Sequence, residues 1–291
     1  MSQPAANPLD SPGKEFTVDR LLDSGTVAVR HVDCRGTCRH RSPEECASHT
    51  HFVFPYRGLY LRLVGADLAV ADANHVLFFN EGQGYQVSHP VTGGDASLVL
   101  SVDTETLREI APANLVCEAA GAVRFRDQHL RIDARAQALV MLLKHSLRNG
   151  TIEPLEAEGL ALTLVARAIG PRTSRAQGAS VARRKLVARV KVLLARDLSR
   201  RWSLAEIAKE IRGSPVYLTQ VFQQVEGMPL YRYHLRLRLA RALDLMPVRE
   251  DLSGLAQDLG FSSHSHFSAA FRQAYGMTPA EFRKLGSGTV S

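Results

Sequence analysis

Long hydrophobic runs are missing from this chain of 291 residues: no apolar stretch approaches the ~18 residues that a membrane-crossing helix requires. Met1 to Lys14 has neither a basic start nor an apolar core, so no export leader is expected and the cytoplasm is the expected location. Cysteine is scarce, with only Cys34, Cys38, Cys46 and Cys117, and no Cys-x-x-Cys pair occurs among them. In a reducing compartment four such residues form no disulfide framework; they are free thiols or ligands.

What is present describes a folded protein. Apolar residues make up 45% and charged residues 22%, at a length sufficient for two domains with separate cores. Charge is spread unevenly: residues 181–291 hold 18 Lys and Arg against 9 Asp and Glu, whereas the rest holds 18 against 20. A basic surplus confined to one end points to a polyanionic partner such as nucleic acid.

Residues 1–15, punctuated by Pro4, Pro8 and Pro12, read as a mobile leader. From Phe16 to about Val102 short β-rich runs (51–54, 58–64, 68–70, 75–79, 85–87 and 97–102) alternate with Gly-containing turns, the pattern of a small β-barrel or jelly roll. Helical spacing follows at 104–111, 133–147 and 153–168, the last two separated by Asn149-Gly150. That helical pair suits a dimer interface or packing within the domain, and both readings stay open. Residues 170–181, rich in Gly, Ser and Arg, read as an interdomain linker that lets the domains move. The amphipathic run 182–198 then places Leu186, Val190, Val192, Leu193 and Leu194 inward and leaves Arg183, Arg184, Lys185, Arg189 and Lys191 to approach phosphates.

One pattern occurs twice after residue 200. Leu204-Ala-Glu-Ile-Ala208 through Phe222 and Gly227 is echoed by Leu252-Ser-Gly-Leu-Ala256 through Phe271 and Gly276, with one extra residue inside the second copy. Ser203 with Glu206 forms a capping box, and Ser214-Pro215 starts another helix by N-cap and first-turn proline. Tyr217, Leu218, Val221, Phe222 and Val225 form its inward face, leaving Val216, Thr219, Gln220 and Gln223 outside. In the second copy Asp251 caps, Gly254 replaces the capping-box Glu, and His264, Ser265, Ser268 and Ala269 face out with Arg272 at the flank. Each copy is a helix-turn-helix, and residues 230–245 form a joining helix of about 24 Å that sets them roughly one DNA turn apart.

Residues 185–285 resemble the DNA-binding domain of the AraC/XylS family of bacterial transcription regulators, on the run Gly260-Phe-Ser-Ser-His-Ser-His-Phe-Ser-Ala-Ala-Phe-Arg-Gln-Ala-Tyr-Gly-Met-Thr-Pro-Ala-Glu-Phe-Arg283. The resemblance implies base-reading positions at Val216, Thr219, Gln220, His264, Ser265, Ser268 and Ala269, with backbone contacts from Gln223, Arg272, Arg183 and Lys185. It also implies promoter DNA, RNA polymerase, a small-molecule effector and a homodimer as partners, an activating role, and no catalytic activity, cofactor or membrane. Three departures stand out: Arg212 occupies the usual Gly position before the first turn, Pro229 follows Met228 instead of Ser or Thr, and Gln220 and Ala269 replace frequent Arg residues. The expected whole is α+β: a cupin-like β-barrel with a helical dimerisation segment over 16–169, then an all-α domain over 182–286 with motifs at about 203–225 and 251–274.

In the N-terminal region, the face of Leu59, Leu61 and Leu63 is expected inside, making Phe52, Phe54, Leu59, Leu61, Phe78 and Tyr85 the candidate pocket lining. His49 and His51, alternate on a strand, and His89 are candidate metal ligands of a cupin-like site. Cys34, Cys38 and Cys46 together would suit a thiol or metal sensor, the alternative to an effector-responsive regulator. A cupin enzyme fused to a DNA-binding domain is a further alternative.

Overall fold

The computed structural model describes residues 16–119, 121–170 and 179–286. The expected leader at 1–15, and residues 171–178 of the expected linker, lie outside the described residues. The chain divides into two compact units, Met1–Thr173 and Ser174–Ser291, each with its own architecture. Among the described residues no helix is long and apolar enough to cross a membrane.

The first unit contains β1 (Phe16–Asp23), β2 (Val27–Cys34), β3 (Glu45–Cys46), β4 (His51–Arg57), β5 (Tyr60–Val64), β6 (Asp67–Ala71), β7 (His75–Phe79), β8 (Gly84–Ser88), β9 (Asp95–Val102), α1 (Thr104–Ile110), β10 (Val116–Ala119), β11 (Ala122–Phe125), β12 (His129–Arg131), α2 (Ala134–Asn149) and α3 (Pro154–Ile169). They form a six-stranded sheet in the order β1-β2-β9-β4-β7-β12, a four-stranded sheet β3-β8-β5-β6, and the hairpin β10-β11. Val53, Leu77, Phe79 and Val99 of the larger sheet share one core with Tyr60, Ala69, Ala71 and Tyr85 of the smaller. Strands thus form where short β-rich runs stop at Gly turns. β1, β2 and β3 are not among the runs read from the sequence, and the hairpin and β12 escape it because runs of three or four residues carry too little alternation.

Strand β4 is buried on both faces, and its parity decides what faces the inter-sheet space. His51 and Val53 face the space between the sheets, whereas Phe52 packs edge-on against Phe78 and Phe125, and Tyr56 lies under the Lys144 ammonium of α2 at 4.1 Å. Helices α2 and α3 pack together and against strands of the six-stranded sheet. α2 is capped by Asp133, which accepts from Ala136 N–H, and ended by left-handed Gly150. Leu164 and Val165 of α3 are buried and Leu160 and Leu162 half-buried, while Leu155 is 82% exposed.

The leucine face of β5 is the reverse of that expected. Tyr60 and Arg62 point inward, while Leu61 and Leu63 are half-buried on the other face. The cross-strand partners of Tyr60 and Arg62 are Ala71 and Ala69, whose small side chains leave room for large ones. Arg62 is 0% exposed: its guanidinium stacks 3.8 Å from the Phe79 ring centre and donates to Phe78 O at 2.8 Å, so a charge that reads as exterior has partners inside. Burial lowers its pKa to about 10.

The second unit is helical: α4 (Val181–Arg196), α5 (Leu204–Glu210), α6 (Pro215–Glu226), α7 (Leu230–Leu245), α8 (Leu252–Asp258), α9 (His264–Tyr275) and α10 (Pro279–Gly286). α4 buries Val187, Ala188, Val190, Lys191, Leu193 and Leu194, with Leu186 and Val192 only half-buried. Lys191 is therefore no phosphate contact. Its ammonium is 2.6 Å from Glu226 of α6, both side chains are buried, and it lies 5.2 Å from the Tyr233 ring centre. α7 packs against both α6 and α9.

Candidate DNA interface and candidate ligand cavity

Each repeat copy folds as helix, turn, helix. α5 opens with the expected capping box, Ser203 accepting from Glu206 N–H while the Glu206 carboxylate accepts from Ser203 N–H at 2.8 Å. Its end is closed by Arg212 N–H to Lys209 O and Gly213 N–H to Ala208 O, at 3.1 and 2.8 Å. The second copy closes α8 in the same way, with Gly260 N–H to Gln257 O and Phe261 N–H to Ala256 O, at 2.8 and 2.9 Å. Arg212 thus occupies the left-handed position of Gly260, at φ 55°, the one non-glycine residue with positive φ among those described. The substitution leaves the turn's bonding pattern intact and loads it with strain. The extra residue of the second copy lies after this closure: four residues separate α5 from α6, 211–214, and five separate α8 from α9, 259–263.

The second helix of each motif presents a polar face over a packed one. Leu218, Val221, Phe222 and Val225 anchor α6, and Phe267, Ala270, Phe271 and Tyr275 anchor α9. Val216, Thr219, Gln220 and Gln223 are exposed on α6; His264, Ser265, Ala269 and Arg272 are exposed on α9, with Ser268 half-buried. Tyr217 is 47% exposed and does not join the core, because it falls one residue outside the buried 218/221/222/225 stripe. The caps also invert the expectation: Ser214 makes no side-chain cap bond, whereas Ser263 accepts from His266 N–H at 3.1 Å. The His266 ring meets Ser262 Oγ at 3.0 Å and the Phe261 ring, while His264 faces Ser268.

Several arginines are committed to structure. Arg238 of α7 donates to Leu198 O, Ser199 O and Arg200 O at 2.6, 3.1 and 2.8 Å and reaches Gly260 O at 3.4 Å, so one guanidinium ties the loop before α5 to the turn before α9. Arg183 donates to Gln224 at 2.8 Å, and Arg189 to Ile211 O at 3.1 Å. Lys185 remains exposed on α4.

A family model described as a helix-turn-helix domain matches residues 207–285. Over 242 residues, 81% of this chain and 92% of the relative, the chain is 25% identical to the probable transcriptional regulator LumQ of Photobacterium leiognathi. It is 31% identical over 158 residues to the transcriptional activator RhaR of Klebsiella pneumoniae, covering 52% of this chain and about half (54%) of RhaR. A solved AraC-type DNA-binding domain structure from Chromobacterium violaceum aligns over 38% of this chain and 100% of its own, at 26% identity and TM-score 0.35. This chain is an AraC/XylS-type helix-turn-helix transcriptional regulator. These relatives are named as regulators, not enzymes.

The N-terminal unit of this AraC/XylS-type regulator holds an open-mouthed cavity between its two sheets. Val18, Val32, Val53, Phe79 and Val99 give it apolar walls, and Glu45, His51, His89 and Asp95 are its carboxyl and imidazole groups, alongside the Cys34 thiol and the Tyr60 and Tyr85 phenols. Of the expected lining only Tyr85 belongs to it. Phe52, Phe54, Leu59, Leu61 and Phe78 lie elsewhere; on β4 and β7 the neighbouring residues His51, Val53 and Phe79 line it, since a one-residue change of parity exchanges the two faces of a strand.

Burial lowers the His51 pKa to about 3, and its ring stacks on Phe79. His49 instead bonds Ser48 and Ser101, both at 2.9 Å. His89 joins neither of them: its Nε2 is 2.8 Å from Asp95 and 3.6 Å from the Cys34 sulfur. Burial works against a charged His89, but its hydrogen bonds to Asp95 and Cys34 outweigh it and lift the pKa to about 10. Burial likewise raises the Glu45 and Asp95 carboxyls. Cys38 donates to His40 O at 3.0 Å and Cys46 to Ala47 O at 3.8 Å, so the three expected sensor thiols do not form one group. Asp95 carries no family or motif signal; its pairing opposite Cys34 across β2 and β9 is the feature that brings it in.

Proposed function

We propose that this regulator reads promoter DNA with α6 and α9, and that a small molecule entering the N-terminal cavity controls transcription, with activation through RNA polymerase as its principal output. Supporting this reading is the cavity between the two sheets, on the same chain as the paired helix-turn-helix motifs. The two sheets form a cupin-like barrel around it, and the chain acts as a homodimer through the outer face of α3, where Leu155 is exposed. Val216, Thr219 and Gln220 read one major-groove segment and His264, Ser265, Ser268 and Ala269 the next, with Gln223, Arg272 and Lys185 on the backbone; Arg183, held by Gln224, is not among these contacts. Without an Arg at Gln220 or Ala269, guanine is not read bidentately there, and Gln220 suits adenine.

Gln220→Ala and His264→Ala should each weaken binding to the specific site by about 1–3 kcal/mol while leaving unrelated DNA unaffected, as fluorescence anisotropy measures. Equal weakening on both DNAs would remove base reading from these positions. For the cavity, a thermal-shift screen of small molecules should yield a ligand that stabilises the native chain but not Val99→Phe, whose larger ring fills the space; a shift equal in both would place the ligand elsewhere.

A further inference from the structure

Cys34, His89 and Asp95 converge from both sheets. Cys34 ends β2 and Asp95 opens β9, where the register sets them directly opposite each other, and His89 follows the last residue of β8 in the other sheet. One donor atom from each lies within 4.8 Å of the others, and all three residues are buried. We propose that these residues form a binding site for a thiophilic divalent cation of the zinc class, with its open coordination position facing the cavity they line.

The arrangement fits coordination and does not fit a proton relay. In a relay the two ring nitrogens of the histidine meet different partners; here Nε2 faces both the carboxylate and the thiol, and Nδ1 is buried without a hydrogen-bond partner. Metal bonds of about 2.0–2.3 Å in a tetrahedron set sulfur and nitrogen donors about 3.5 Å apart, close to the observed 3.6 Å. The 2.8 Å contact of His89 with Asp95 opens by about half an ångström on binding. Once binding has displaced the protons of Cys34 and His89, thiolate, carboxylate and neutral imidazole carry two negative charges, which a divalent ion balances. Gly36 N–H donates to Cys34 Sγ at 3.3 Å, which helps to fix the direction of the sulfur.

The corner is also held in place. A Cβ on Gly94, at φ +69°, would meet Cys34 O at 2.1 Å, and one on Gly58, at φ +74°, would meet Gly94 O at 2.1 Å, so the backbones cross where only glycine passes. Three donors of three kinds on a tight crossing make a preorganised site. It stands whether or not the cavity takes an organic effector.

Titration of the full-length, metal-stripped chain with Co²⁺ tests this directly. One equivalent should give the visible bands of a tetrahedral site with a near-ultraviolet thiolate-to-metal band, Zn²⁺ should displace it, and Zn²⁺ should raise the melting temperature. Cys34→Ser and Asp95→Asn should each weaken Zn²⁺ binding by about 100-fold, while Cys38→Ser/Cys46→Ser binds as the native chain does. If Cys34→Ser does not fold, the native spectrum and the Cys38→Ser/Cys46→Ser titration decide. A native chain without a saturable thiolate band, or loss of that band in Cys38→Ser/Cys46→Ser, would overturn the assignment.

Discussion

Lys191 and Glu226 show how much one buried pair can weigh. With both side chains buried, Lys191→Ala leaves a carboxylate without its cation and should destabilise the C-terminal unit by about 3–5 kcal/mol, whereas Lys191→Met with Glu226→Leu should cost much less. Urea unfolding followed by the fluorescence of Trp202, the single tryptophan, measures both. His234, buried in α7, is a second such site: burial, then the Arg238 charge, hold its pKa down to about 4. The unfolded chain takes up this proton near pH 6.5 and the folded one only near 4. Its contribution is therefore complete above pH 6.5 and is lost as pH falls towards 4, at about 1.4 kcal/mol per unit. His234→Gln should flatten the decline in urea midpoint between pH 7 and 5; an unchanged slope would remove His234 as its source. Neither Lys191 nor the likewise buried Arg62 declares its burial in the sequence. Lys191 reads as one of several cations on a basic helix, and Arg62 as the outer face of a strand, because their partners Glu226, Phe79 and Phe78 are distant in the chain.

At the scale of elements, local chemistry was legible where it is self-contained. The capping box of α5, the proline start of α6 and the Gly227 and Gly276 ends follow from neighbouring residues alone. The positions of β4 to β9 were legible for the same reason, whereas β1, β2 and β3 were not read as individual runs, and strand facing was not legible. Which side of β4 or β5 meets the cavity depends on Ala69 and Ala71 across the ladder and on α2 behind it, which periodicity cannot see. The matched turns allow a paired test. Arg212→Gly relieves a left-handed non-glycine residue and should stabilise by about 1 kcal/mol. Gly260→Ala should destabilise by about 2 kcal/mol or more, since its Cβ would also sit 2.0 Å from Ser199 O. Equal effects of the two changes in urea denaturation would contradict the equivalence of the turns.

For the molecule as a whole, the division of charge follows the division of labour: the basic residues gather in the unit that carries both helix-turn-helix motifs. Yet Lys191, Arg238, Arg183 and Arg189 are engaged within that unit, so its net charge overstates the cations free to meet phosphate. Sequence choice then rests on a few neutral side chains and His264, spread over two helices that α7 joins. Selection of binding sites from a random DNA pool by the full-length chain tests this most directly. The expected result is two conserved blocks with centres about 10–10.5 base pairs apart, the first relaxed by Gln220→Ala and the second by His264→Ala. A single block, or no enrichment above non-specific binding, would contradict reading by both motifs.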